Sequence, residues 1–343
     1  MKKTTSILLL LTFQFLIASG NAFGQADAKT DDAEFYEATT KWFSAWKLVC
    51  KDIYKIDKLK RVDFVFFDDK YVYTTSALTG KDGKKLQKNK LMNLSLKWKK
   101  KEHNYKIILP DSTLLPVQLQ SFAAENKREK GRAFFVMPLP SFWKKSGIDS
   151  KELGIDNLVC GVFVHEFSHS QQMQNFGKRM GNFEKDYHFD TDFNDDIIQN
   201  LFSKNGDYTA LYNKEVKLFY NSVQNEKLDK NLLKEGLETM YKRQGDYFKD
   251  KNSFLKEIDN FFLTMEGLGQ YSMYLWLINP KGGNIEKSVA LEGVRRNRKW
   301  WSQDEGLVFF LILEKMTEPH TWVKIMFGDQ TVSAINLIEN RLE

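Results

Sequence analysis

The chain has 343 residues, of which 42% are hydrophobic, 14% aromatic and 28% charged. Its 27 Phe, 13 Tyr and 8 Trp exclude a disordered chain, and 20 Gly with 6 Pro exclude a collagen-like or low-complexity one. The formal charge is +6; without Lys2 and Lys3, in a leader expected to be removed, 49 basic residues face 45 acidic ones, too even a balance to argue for a nucleic-acid partner.

Residues 1–24 have the layout of a secretory signal peptide. Lys2 and Lys3 form a charged start, Ile7 to Ala18 is apolar except for Thr12 and Gln14, and Ser19, Gly20, Ala22 and Gly24 supply small residues for cleavage. The apolar run falls short of the ~20 residues that a membrane span needs. The most apolar later stretch, Phe254 to Ile278, carries Glu257, Asp259 and Glu266. The mature protein is therefore expected outside the cytoplasm, periplasmic or secreted, with no membrane span. In that compartment Cys50 and Cys160 form either a disulfide or two separate buried thiols.

Apolar spacing predicts a helix over Glu34–Ile56, with Phe35, Trp42, Phe43, Trp46 and Leu48 on one face. A strand pair, Val62–Phe67 and Tyr71–Thr75, follows around a short turn. Ten lysines lie between residues 81 and 106, interleaved with Trp98 and Tyr105. A solvated loop is the ordinary meaning of such a run, ahead of a nucleic-acid groove. Further strands are expected at His103–Leu109, Leu114–Phe122 and Arg132–Met137, with Pro116 marking an edge. From there the pattern turns helical, over 157–176, 190–203, 207–224, 228–249, 253–278, 303–317 and 331–342. The Ser302 to Glu305 spacing fits a capping box at the start of one of these helices. The triplet Glu-Gly-Leu occurs at Glu235, Glu266 and Glu305, at unequal spacings, and is not a repeat. An α+β chain results, with a leader over 1–24, an α/β-rich subdomain over 25–155 and a helical subdomain over 156–343.

The chemistry concentrates in Val164-His165-Glu166-Phe167-Ser168-His169, an H-E-x-x-H sequence. Residues four apart share one helix face, so both imidazoles can reach one metal ion. Glu166 is rotated by about 100° from His165, which sets it beside the metal as a base for a water molecule rather than as a ligand. A catalytic zinc takes three protein ligands and keeps one position open. The extended pattern that would supply a third histidine is absent, because Gln172 and Asn175 occupy its Gly and His positions. His188 and His320 are possible third ligands. Glu266 is the better one, since a lone carboxylate among Phe261, Phe262, Leu263, Met265 and Leu268 is costly unless paired or metal-bound. Glu235 and Glu238 sit among Lys234, Lys242 and Arg243 and read as a solvated face.

H-E-F-S-H followed downstream by M-E-G-L-G-Q-Y resembles the gluzincin metallopeptidases, whose second motif has a similar N-E-G-F-A segment. The resemblance covers these two motifs and the order of a β-rich part, a motif helix and a helical remainder. It implies a zincin-like fold, zinc on His165, His169 and Glu266, and Glu166 as the general base. Met265 stands where the resembled segment has Asn. In some gluzincins an Asp four residues after the glutamate ligand braces a zinc histidine. Gln270 holds that position, and its amide oxygen is able to accept an imidazole N–H. Tyr271, Tyr274, His188 and Arg295 are candidates for stabilising the oxyanion of the transition state, with Tyr271 first. The last strand before the motif helix, Arg132–Met137, is either an edge that binds extended peptide or an ordinary core strand. The expected activity is hydrolysis of peptide or protein substrates. The alternatives are a non-catalytic zincin-fold binding protein and a zinc hydrolase acting on a non-peptide bond.

Overall fold

A strand pair around Asp68-Asp69-Lys70 opens the sheet of this protein, and its turn is locally encoded: the Asp68 carboxylate accepts from the amides of Lys70 and Tyr71 at 2.7 and 2.6 Å. The computed structural model describes residues 32–187, 189, 192–327 and 332–342. The expected leader and His188 lie outside them. The chain is mixed α+β, β-rich first and helical afterwards. It divides into two units, one of residues 1–174 with 276–286, the other of 175–275 with 287–343. None of the described helices is long and apolar enough to cross a membrane.

The first unit begins with α1 (Ala33–Lys47), continued by a π-helical turn over Leu48–Ile53. Ten short strands follow: β1 (Val62–Phe67), β2 (Tyr71–Thr74), β3 (Lys84–Lys85), β4 (Asn89–Leu91), β5 (Leu94–Leu96), β6 (Lys99–Glu102), β7 (Lys106–Ile108), β8 (Leu114–Pro116), β9 (Phe122–Glu125) and β10 (Ala133–Pro138). Then come α2 (Pro140–Lys145) and α3 (Ile155–Asp186), whose residues up to Gln174 belong to this unit. Six strands form one sheet in the order β3-β6-β2-β1-β10-β9, in which only β1 and β10 are parallel. The two faces follow the period of two in strands. Phe64, Phe66 and Phe135 pack against Trp42 and Phe43 of α1 and against Phe163 and Phe167 of α3. On the other face Val65, Phe67, Val72, Phe134 and Val136 form a cluster with Ile107, Leu109 and Leu115 of the separate β7–β8 hairpin.

One sequence expectation is corrected and two open alternatives are decided in this unit. The lysine-rich segment is not a solvated loop: Lys99–Glu102 is a sheet strand paired with β2. Lys100 is buried because it meets the Asp32 carboxylate at 2.7 Å and lies 3.9 Å over the Tyr71 ring. Trp98 is buried too, its indole N–H donating to Asn89 at 2.7 Å. The strand before the motif helix is not an edge, since β10 lies between β1 and β9 with all six residues buried. Its unbroken apolar run reflects burial on both faces. Cys50 and Cys160 are both buried and unbridged. The Cys50 thiol contacts the Ile56 carbonyl, and burial pushes both thiols up to about 12.

The second unit contains the rest of α3, then α4 (Ile197–Phe202), α5 (Gly206–Val223), α6 (Lys230–Tyr247), the part of α7 (Leu255–Ile278) up to Leu275, α8 (Lys287–Arg295), α9 (Trp301–Met316), α10 (Val323–Met326) and α11 (Ala334–Leu342). The glycines of the three Glu-Gly-Leu triplets sit where helices come close. A Cβ on Gly267 of α7 would lie 2.3 Å from the carbonyl oxygen of Gly306 of α9, and one on Gly236 of α6 would lie 2.6 Å from the Phe219 ring of α5. The common triplet thus reflects packing need rather than duplication.

No capping box exists at α9. The helix begins at Trp301, one residue before Ser302, and Glu305 is buried next to Arg243 instead. Arg243 is itself fully buried. Its Nε donates to Glu215 at 2.6 Å, and other guanidinium nitrogens reach Tyr208 and Asp259. Three carboxylates around one guanidinium leave excess negative charge in a dry place. Burial accordingly raises Glu305 well above the usual carboxylate range and pushes Glu215 up to about 8.

Candidate metal centre

The motif helix is fixed to the sheet on one side before any metal chemistry is considered. Phe163 and Phe167, four residues apart, stack on each other and against the sheet aromatics. Two glutamines fasten the same helix to the beginnings of two strands. Gln171 Oε1 accepts from the Lys60 amide at 2.9 Å, just ahead of β1, and Gln174 Nε2 donates to the Gly131 carbonyl at 2.6 Å, just ahead of β10. His165 follows Phe163 by two residues, about 200° around the helix, and so turns away from the sheet.

His165, Glu166 and His169 are each 1% exposed. One ligand atom from each can be chosen so that all three lie within 4.8 Å of one another. The two Nε2 atoms converge to 2.9 Å, with the rings at 87°. Burying two imidazoles and a carboxylate at such a point is costly unless their polar atoms share a purpose. His169 has a further partner: its Nδ1 lies 3.1 Å from Oε1 of Gln172. The amide oxygen can only accept, so Nδ1 carries the proton and Nε2 is left with its lone pair. An imidazole held in this tautomer is prepared for a metal ion, and a pair of imidazole nitrogens suits zinc.

Gln172 was not singled out by the motif. The sequence pattern treats position 172 only as a place where glycine is missing, yet its i+3 relation to His169 places it on the neighbouring turn. That spacing is the signal that identifies it.

The remaining expected site residues lie in the second unit, apart from His188, which is outside the described residues. Glu266 is 1% exposed on α7, and Gln303 of α9 donates to its Oε2 at 3.3 Å. Gln270 is fully buried; its Nε2 donates to Gln303 at 2.7 Å, while its amide oxygen has no hydrogen-bond partner among the described residues. Tyr271 is buried against Phe310 and Trp322. Tyr274 is buried. Arg295 is committed elsewhere: Nε donates to Asp304 at 2.7 Å and the guanidinium lies 3.6 Å over the Tyr220 ring. His320 and Glu238 are exposed, and Glu235 pairs with Lys214 at 3.1 Å. His103, in the first unit, contacts the Asp68 carbonyl through Nε2.

Comparison with family models, with curated proteins and with solved structures finds no match.

Proposed function

We propose that this protein is an extracytoplasmic, zinc-dependent peptidase with a zincin-like fold. One observation carries the reading: a buried His165–Glu166–His169 group whose two imidazole Nε2 atoms converge while Gln172 fixes the tautomer of one of them. His165 and His169 would hold the ion through Nε2. Glu266 is the third ligand in this reading, on the strength of the M-E-G-L-G-Q-Y motif alone. Zinc, when bound, supplies Lewis acidity and a water of lowered pKa.

The chain's own residues supply the proton handling and the positioning. Glu166 accepts a proton from the attacking water on a carboxylate oxygen and returns it to the leaving amine nitrogen. Gln172 keeps His169 in the Nδ1–H form, so the ring does not turn over. Phe163 and Phe167 hold the helix against the sheet, and Gln171 and Gln174 fix it along its length. The amide oxygen of Gln270 is suited to accept an imidazole N–H. No residue is assigned to the oxyanion; among the candidates, Arg295 is already paired with Asp304.

The near-complete burial of His165, Glu166 and His169 gives a second reading its footing, a metal-holding protein without catalysis. One experiment separates the two. Metal content and hydrolysis of a broad peptide library are measured on wild type and on Glu166→Gln. A peptidase contains about one zinc per chain and cleaves, and the variant keeps zinc but loses ~10²–10⁴-fold in rate. Zinc without hydrolysis in the wild type supports the second reading, and absence of zinc removes both.

A further inference from the structure

We propose that the outward face of the β7–β8 hairpin, together with the lysine row beside it, docks on an anionic lipid surface. This inference is independent of the metal centre.

The hairpin separates its side chains cleanly. Ile107 and Leu115 are opposite each other and buried in the sheet cluster. The outward positions are Lys106 opposite Pro116 and Ile108 opposite Leu114. Ile108 is 46% exposed, Leu114 56%, and Tyr105, just before the hairpin, 77%. These are three of the seven large hydrophobic residues exposed among the described residues, gathered within ten positions. Tyr105 has φ 55°, a left-handed conformation uncommon for a bulky side chain, and its carbonyl accepts from the Val117 amide. The fold thus holds an aromatic ring in solvent at a strained position next to a cross-strand aliphatic pair.

The charge of β3 and β6 beside this patch is basic. In the sheet register Val72, which packs under the hairpin, is opposite Lys101, and Lys99 is opposite Lys85. Alternation along β6 therefore puts Lys85, Lys99 and Lys101 on the sheet side that the hairpin covers, whereas Lys100 and Glu102 point to the other. Lys85, Lys99, Lys101 and Lys106 form no ion pair among the described residues. No outward position of the hairpin, and none of β3 or β6 on this side, is acidic. Asp111, in the hairpin loop, is occupied by the amide and hydroxyl of Thr113.

An exposed aliphatic pair and a tyrosine, flanked by lysines with long apolar stems, match the interfacial zone of a membrane with negative headgroups. The aliphatic pair and ring enter the acyl boundary while the ammonium groups reach phosphates. A nucleic acid or other polyanion would use the lysines and leave Ile108 and Leu114 in water.

The test is vesicle co-sedimentation of the full chain, expressed with residues 1–24 in the gene so that any processing follows its own course. Vesicles of phosphatidylcholine alone are compared with vesicles containing phosphatidylglycerol, at about 0.1 M and about 0.5 M salt. Binding is expected only to the anionic vesicles and weaker at high salt. Ile108→Ser with Leu114→Ser should weaken it at least ~tenfold, because two aliphatic side chains then lose their burial. Lys85→Gln, Lys99→Gln and Lys101→Gln should each weaken it about fivefold. Leu201→Ser with Ile325→Ser, exposed apolar positions elsewhere, should change nothing. All the altered side chains of the hairpin are exposed, and unchanged unfolding curves confirm folded variants. Equal binding to both vesicle types, or none, overturns the proposal. So does salt-sensitive binding to which Ile108 and Leu114 make no difference, which would mark a general polyanion surface instead.

Discussion

Gln172 offers the most direct test of the metal reading. Its amide oxygen lies 3.1 Å from His169 Nδ1, and the residue is fully buried. Gln172→Leu keeps the approximate volume and removes the acceptor. Two things can then happen in the dry interior. Either His169 keeps its Nδ1 proton without a partner, which costs about 1–3 kcal/mol, or the proton moves to Nε2 and takes away the lone pair the metal needs. The first course costs the free and zinc-bound protein alike; the second must be reversed before zinc binds, and reversing it at up to that cost, at about 1.4 kcal/mol per factor of ten, weakens zinc binding by roughly 5- to 150-fold. Loss of an outer partner of a metal-bound histidine weakens binding by about 10–100-fold in general, the same range. Gln172→Glu keeps an acceptor at the same place and should hold affinity within about threefold of wild type. Competition with a chromophoric zinc chelator near neutral pH gives the dissociation constants, and thermal unfolding checks that each variant is folded. A folded Gln172→Leu variant with a constant within about twofold of wild type would refute the argument. A wild type that binds no zinc would refute the metal reading itself.

The ligand choice is tested by zinc content: Glu266→Ala should lose the metal, while the exposed Glu238→Ala should keep it, and the reverse result reassigns the ligand. Thiol titration of the denatured, unreduced protein should find two free thiols, from Cys50 and Cys160, and none would mean a bridge that the structure lacks. The Arg243 cluster should make stability fall with rising pH. Glu215 and Glu305 bind protons more tightly when folded than at the ordinary value of 4.5, so their contribution is complete below that value; the part due to Glu215 is lost as pH rises through about 8, and that of Glu305 as pH rises through its own raised value. Glu305→Gln, which mimics the protonated acid, should flatten that decline in denaturant unfolding between about pH 6 and 9, and an unchanged slope would count against the raised Glu305. Gly267→Ala should destabilise by at least about 1–3 kcal/mol, because its Cβ meets backbone rather than a movable side chain, and a neutral effect in chemical denaturation would contradict the close crossing of α7 and α9.

Local geometry is what one chain reads out unaided. The His165, Glu166 and His169 grouping was legible because i, i+1 and i+4 on a helix are fixed by 3.6 residues per turn, whatever surrounds them. The β1–β2 pair was legible for the same reason, with its turn chemistry inside three residues. Solvation of Glu238 followed from its charged neighbours, and burial of Glu266 from its apolar ones. Contacts between distant residues decided the rest. Lys100 belongs to a strand rather than a solvated loop because Asp32, 68 positions away, neutralises it. Glu305 is a buried acid rather than a cap because Arg243 on another helix approaches it. β10 is interior because β9 pairs with its outer side, and strand order is not written in the strand itself. Cys50 and Cys160 stay apart because bridging depends on positions that the 109 intervening residues determine, not on the presence of two thiols. Even Gln172, only three residues from His169, needed a buried side-chain rotamer before its bond to the imidazole could be seen. Periodicity and spacing report which face a side chain occupies; only the packed chain brings the partner that decides what the side chain does there.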